Sequence, residues 1–302
     1  MISSATAPGR VAVVTGANNG IGYFIALQLG LSGLFEHIIL GCRDLDRGQA
    51  ALSSMRPLLP SSVKATVLPL TIGNHDSHVA FREKLQALLE GDSTSTTTDT
   101  TADGACNPAK VDVLVNNAAI AFKGSDPTPF AQQTKPTLDI NFRGTVDFTE
   151  VMFPLLRLAA QQPSGDARIV NVASMAGRLS QIREDLQEQF SCPTLTMPEL
   201  HTLMDKFEND VQAGVHKAQG WSNSNYGMSK LGIVAANKIW AREEASNGIS
   251  VNCICPGYCS TDMSSHQGTR SAEDGAKNAV LPATMKDPPT GQFFADMKLR
   301  EW

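Results

Sequence analysis

A run of 18 consecutive apolar residues is missing from this 302-residue chain, which excludes a helix built to cross a bilayer. The opening residues, MISSATAPGR, hold no apolar core of the kind an export signal needs. Cysteine is scarce. Six in a chain of this length are too few for a disulfide-stapled scaffold, and without an export signal they are expected to be reduced thiols. A dominant charge is lacking too: 25 basic residues face 30 acidic ones, for a net charge of −5. That leaves no electrostatic footprint for nucleic acid or an anionic membrane surface. The six histidines form no H-E-x-x-H, and Cys253, Cys255 and Cys259 fall one ligand short of a structural zinc set, so no metal is expected. His75 and His78, three apart beside a loop, are read as solvent-facing. These absences point to a cytosolic protein with neither nucleic acid nor membrane as a partner.

What the chain does have is core. It is 42% hydrophobic and 18% charged, enough to bury a sizeable interior. Apolar, β-branched runs at 11–14, 37–40, 66–70, 111–115, 168–172 and 249–254 read as buried parallel strands. Amphipathic stretches lie between them, so the alternation predicts an α/β fold of the Rossmann type, a doubly wound parallel sheet in one domain over 1–302. Two segments break the rhythm. Residues 91–109, with six threonines within 94–101, read as a surface loop. Residues 178–221 read as a helical insertion: Leu200, Leu203, Met204, Phe207, Val211 and Val215 recur at helical spacing, after a Thr196/Glu199 capping box.

The glycine loop TGANNGIG, residues 15–22, follows the first strand and opens the first helix. Gly16 permits a sharp turn, while Gly20 and Gly22 let backbone and helix approach a pyrophosphate at a helix N-terminus. The spacing is G-x-x-x-G-x-G, a variant of the usual dinucleotide fingerprint. At the tip of the second strand, where a carboxylate would hold the 2′-hydroxyl of NAD, stand Cys42 and Arg43, with Asp44 placed to cap the next helix. A guanidinium there suits the 2′-phosphate of NADP, so NADPH is the expected cofactor.

Further along come NNAA (116–119), NFRGT (141–145), NVAS (171–174), YGMSK (226–230) and CPGYCSTDM (255–263). Taken in order with the glycine loop, these resemble the motifs of the short-chain dehydrogenase/reductase family over nearly the whole chain, and most of all its monomeric NADPH-dependent carbonyl reductases. The resemblance implies a catalytic set of Asn141, Ser174, Tyr226 and Lys230. Tyr226 and Lys230, four apart on a predicted helix, share a face. An ammonium beside a phenol stabilises the phenolate, which fits Tyr226 as proton donor. Ser174 would hydrogen-bond the carbonyl oxygen, and Asn141 would hold a water in a proton relay. By the same likeness Asn18, Asn19, Gly20, Ile21 and Gly22 border the cofactor. Asn117 would lie near the adenosine ribose and Thr71 near adenine. Lys230 would reach the nicotinamide ribose, and Pro256, Gly257 and Thr261 would bracket the carboxamide.

The departures are specific. Ala119 stands where the family has glycine, Thr71 where an aspartate contacts adenine, and Asn19 where the NADPH-preferring members often carry lysine. Ser174 and Tyr226 lie far apart in sequence because 178–221 intervenes. A similar insertion in the carbonyl reductases covers the surface on which tetrameric relatives associate, so a monomer is expected. The implied activity is reduction of a small-molecule carbonyl (aldehyde, ketone or quinone). The alternatives are a dedicated reductase or dehydrogenase for one terpenoid, steroid or alkaloid ketone, and a non-catalytic NADP(H)-binding sensor or scaffold.

Overall fold

The computed structural model describes residues 9–93, 109–162 and 165–302. Strands β1 (Val11–Thr15), β2 (His37–Cys42) and β3 (Lys64–Pro69) alternate with helices α1 (Gly20–Leu31), α2 (Leu45–Met55) and α3 (His75–Ser93). Next come β4 (Val113–Asn116), α4 (Phe130–Leu138), α5 (Thr145–Ala160) and β5 (Ala167–Val172). A helical stretch follows, with α6 (Glu184–Ser191), α7 (Met197–Gln212) and α8 (Asn225–Glu243). The chain closes with β6 (Ile249–Cys255), α9 (Ala272–Thr284), β7 (Phe293–Ala295) and β8 (Lys298–Arg300).

The strands form one sheet in the order β3-β2-β1-β4-β5-β6-β7-β8, parallel except for β8, which runs antiparallel to β7. Successive β1 residues feed opposite layers. Val11 and Val13 join the core under α3, α5 and α8, while Ala12 and Val14 join the core under α1, α2 and α9. That two-sided burial is why the strands read as continuous apolar runs. Strand order reverses between β1 and β4, and the crevice beyond their carboxyl ends is where such folds bind ligands. Below it, β1 and β4 are fastened by a buried pair: Lys110 Nζ lies 2.7 Å from both Asp112 oxygens, and Asp112 Oδ2 accepts the Val11 N–H at 2.8 Å. Among the described residues no helix is long and apolar enough to cross a membrane.

Several expectations need correction. The expected loop 91–109 begins late, because α3 continues through Ser93; residues 94–108 lie outside the described residues. The strand expected from 111 starts at Val113, since Val111 N–H bonds to Leu155 O rather than to a neighbouring strand. The insertion holds two α-helices where one was legible. Short α6 buries Leu186 and Phe190, and α7 buries Leu200, Met204, Phe207 and Val211, whereas Val215 lies past its end and is exposed. The Thr196/Glu199 capping box is present, and Asp44 caps α2 by accepting Arg47 N–H at 3.1 Å. His78 is not solvent-facing. It is fully buried, paired with Asp147 and set edge-on to Phe148, because α3 packs on α5; His75 is the exposed member. Phe293 and Phe294 pack β7 into the two cores, one on each side.

Candidate active site

The glycine loop leaves β1 in left-handed turns at Gly16 (φ 65°) and Gly20 (φ 53°), which side chains resist. Gly22 is needed for space: a Cβ there would lie 2.4 Å from both Asn117 Nδ2 and Gly16 O. Asn117 bolts the loop to the end of β4, donating from Nδ2 to Thr15 O at 2.9 Å, while Thr15 Oγ1 accepts the N–H groups of Asn117 and Ala118. Over this turn opens a cleft of about 400 Å³. Gly16, Asn18, Asn19, Gly20, Ile21 and Gly22 form its floor, with Arg43, Asn117 and Thr261 on its walls.

Of the sequence-derived candidates, Thr71, Asn141, Ser174, Tyr226, Lys230, Pro256 and Gly257 do not line the cleft. Leu70 and Ile72 flank it in place of Thr71, whose N–H is tied to Ser77 Oγ at 2.9 Å. Pro256 and Gly257 lie at the end of β6. There Gly257 (φ 86°) donates its N–H to Cys255 Sγ, and Arg270 Nη1 reaches Pro256 O at 3.0 Å. Sequence reasoning missed Arg47, in the first turn of α2, which lines the cleft as Arg43 does just ahead of the Asp44 cap. A second arginine four positions after Arg43 was the available signal. It also missed the contact across the mouth, where Asn19 Nδ2 donates to Asp262 Oδ2 at 3.0 Å and Asp262 pairs with His266. No sequence signal marks that pair, because it joins residues far apart in the chain.

Beside the cleft, α8 starts at a Ser224 cap whose Oγ accepts Gly227 N–H at 2.9 Å. This fixes Tyr226 in the first turn and Lys230 one turn later. Lys230 Nζ donates to Val172 O at 2.7 Å and lies 5.6 Å from the Tyr226 ring centroid. Ser174, at the end of β5, caps the 3-10 turn Met175–Gly177, its Oγ accepting Ala176 N–H at 3.1 Å, and its hydroxyl lies near enough to Tyr226 to act on the phenol's pKa. Burial pushes the Tyr226 phenol up to about 12, Cys255 nearby adds to the rise, and the Ser174 contact pulls the other way. Burial lowers Lys230 to about 8. At neutral pH the pair is therefore a protonated phenol beside an ammonium close to its titration point.

Asn141 lies in a π-helical turn, Asp139–Gly144, a distortion often found at functional sites. Its side chain brackets Ile120, accepting the N–H and donating to the carbonyl, both at 2.8 Å, and donates to Ser229 Oγ at 3.1 Å. Ser229 in turn donates to Tyr226 O. Asn141 thus joins the lining of the cleft to α8 between Tyr226 and Lys230. Arg143 anchors the same turn to α7, bonding Asp139 at 2.7 Å, Asp205 at 2.5 Å and Glu208 at 2.8 Å.

The residues fit a dinucleotide. Glycine positions leave a cradle, a helix N-terminus faces it, and two exposed arginines stand where the second strand ends. Among the described residues no group of three or more His, Cys, Asp or Glu is gathered as a metal-ligand set.

The family model described as short chain dehydrogenase matches residues 10–184 and 211–272, and the gap between them takes in most of α6 and α7. Carbonyl reductase (NADPH) 1 of Mus musculus is 37% identical over 303 residues, spanning 97% of this chain and 98% of that protein. Among solved structures, salutaridine reductase from Papaver somniferum superimposes with a TM-score of 0.77 at 26% identity, covering 95% of this chain and 99% of that one. Menthone neomenthol reductase from Mentha piperita gives 0.69 at 26% identity, over 96% and 99%.

Proposed function

The chain belongs to the short-chain dehydrogenase family, and from that premise we propose that it reduces small-molecule aldehydes, ketones or quinones to alcohols with NADPH. One observation carries the reading: Ser174, Tyr226 and Lys230 converge beside a cleft whose floor is a glycine turn and whose rim is Arg43 and Arg47. When bound, NADPH supplies the hydride. The glycine loop and the N-terminus of α1 would hold its pyrophosphate, and the guanidinium groups of Arg43 and Arg47 would take the 2′-phosphate.

A carbonyl oxygen set against the Ser174 and Tyr226 hydroxyls receives a hydrogen bond from the first and a proton from the second. Burial keeps Tyr226 protonated until that moment. Ser174 then steadies the charge developing on oxygen, and the Lys230 ammonium steadies the phenolate left behind. Asn141 holds Ile120 and the α8 backbone in register, which supports its family role beside the lysine.

We further read the chain as one dinucleotide-binding and catalytic domain, cytosolic and monomeric. Helix α7 packs over α4 and α8 with its apolar stripe buried, which supports the monomer. A second reading, a reductase dedicated to one ketone, is supported by the likeness to salutaridine reductase and menthone neomenthol reductase. A sensor without turnover would need none of Asn141, Ser174, Tyr226 and Lys230 together.

The test follows loss of NADPH absorbance with a quinone, an aromatic aldehyde and a dione, in wild type and Tyr226→Phe, with NADH as control. Turnover that requires NADPH and vanishes in the variant is expected. Equal turnover in both proteins would overturn the proposal.

A further inference from the structure

The last residue of the chain is fastened to the turn that carries Ser174. Strands β7 and β8 form a tight hairpin whose two corner residues, Asp296 (φ 53°) and Met297 (φ 60°), are both left-handed, as a two-residue turn of this twist requires. Arg270 Nη2 donates to Asp296 at 2.6 Å, and Met297 N–H donates to Asn278 Oδ1 at 2.9 Å, so the corner is held from both sides. The register of β8, with Arg300 opposite Phe293, then delivers Trp302 onto the core. There the indole Nε1–H donates to Gly177 O at 2.8 Å, and Lys238 Nζ lies 5.6 Å from the indole ring.

Gly177 closes the turn that Ser174 opens, and its own N–H returns to Ser174 O at 2.8 Å. On its other side the turn lies flush against α8, where a Cβ on Gly177 would sit 2.7 Å from the Lys230 carbonyl carbon. The turn is thus clamped between the helix bearing Tyr226 and Lys230 and the terminal indole.

We infer that Trp302 is a positioning residue, whose indole N–H fixes the Ser174 turn and so aims the Ser174 hydroxyl at the reacting oxygen. The inference rests on the carbonyl-reductase reading for its catalytic consequence, though not for the anchoring itself. A hydroxyl held less firmly loses transition-state stabilisation without weakening cofactor binding.

The test uses full-length wild type, Trp302→Phe, Ser174→Ala and the double variant. Trp302→Phe keeps a ring on the core and removes only the donor. Amide hydrogen exchange over 175–177 should quicken in Trp302→Phe. Its kcat should fall about 3- to 10-fold, the value of one net hydrogen bond, with the dissociation constant for NADPH unchanged. On the Ser174→Ala background the same change should have no further effect on kcat, since a residue acting through Ser174 has nothing left to act on. Unaltered exchange, or a loss in the double variant that multiplies the two single losses, would overturn the inference. If wild type turned over none of the carbonyls, the reaction assigned above would be the failure, and the exchange result would still decide whether Trp302 holds the turn.

Discussion

Lys230 sits one helical turn behind Tyr226, with its Nζ 5.6 Å from the phenol ring and 2.7 Å from Val172 O. The cation that the proposed mechanism sets beside the phenolate is thus itself buried, and burial has brought it down to about 8. Its charge is consequently sensitive to pH just above neutrality.

The proposed mechanism needs Tyr226 protonated and Lys230 charged. Tyr226 stays protonated up to about 12, so it does not set the nearer limit. Lys230 loses its proton as pH rises through about 8. The expected kcat/KM for the carbonyl is therefore level on the acid side and falls as pH climbs past about 8, in a profile taken with saturating NADPH. A profile still level well above that point would refute this role for Lys230.

Tyr226→Phe removes only a hydroxyl at the end of a half-buried ring. Turnover should drop by about 10²- to 10⁴-fold, the usual worth of a positioned proton donor, while a fluorescence titration with NADPH should be unchanged.

Arg43 and Arg47 are both exposed on the cleft rim. Replacing either with leucine should raise the NADPH dissociation constant about 10-fold, as expected for a lost charge-assisted hydrogen bond, and leave NADH binding nearly constant. Equal losses for both cofactors would remove these two guanidinium groups from the 2′-phosphate.

Asn141→Ala would strand the Ile120 N–H and carbonyl that its side chain satisfies. Stability should fall by about 1–3 kcal/mol, the cost of leaving buried polar groups unpaired. Chemical denaturation measures this directly. Activity should fall with it, because the same side chain ties the cleft lining to α8.

In solution the chain should behave as a particle of 32.3 kDa by light scattering. A particle of four times that mass would contradict the monomer.

Much of this molecule could be read from its sequence, and the reason lies in spacing. The buried strands are continuous apolar runs, the glycine loop is local, and Tyr226 and Lys230 share one helix, so each signal sits within a few residues of its cause. Helices α4 and α9 were harder to see, since each is short or interrupted by an internal proline, Pro136 and Pro282. His78 was misread because the partner that buries it, Asp147, lies on another helix. The bond from Asn19 to Asp262 and that from Trp302 to Gly177 join residues 243 and 125 positions apart. Nothing in either local stretch announces its partner.

The placement of β1 in the sheet governs how a newly made chain reaches this structure. Its first neighbour, β2, is translated almost at once, but its second is β4, and the bond from Val11 N–H to the Asp112 carboxylate spans 101 residues. Until that later segment has emerged from the ribosome, a strand apolar from Val11 to Val14 has one bare edge. Non-local pairing of this kind is slow, and an unpaired strand edge is where chains stick to one another. The soluble yield of any variant will thus depend on how long β1 waits for β4 as well as on the stability of the finished fold, and slower, cooler expression should favour the correct pairing.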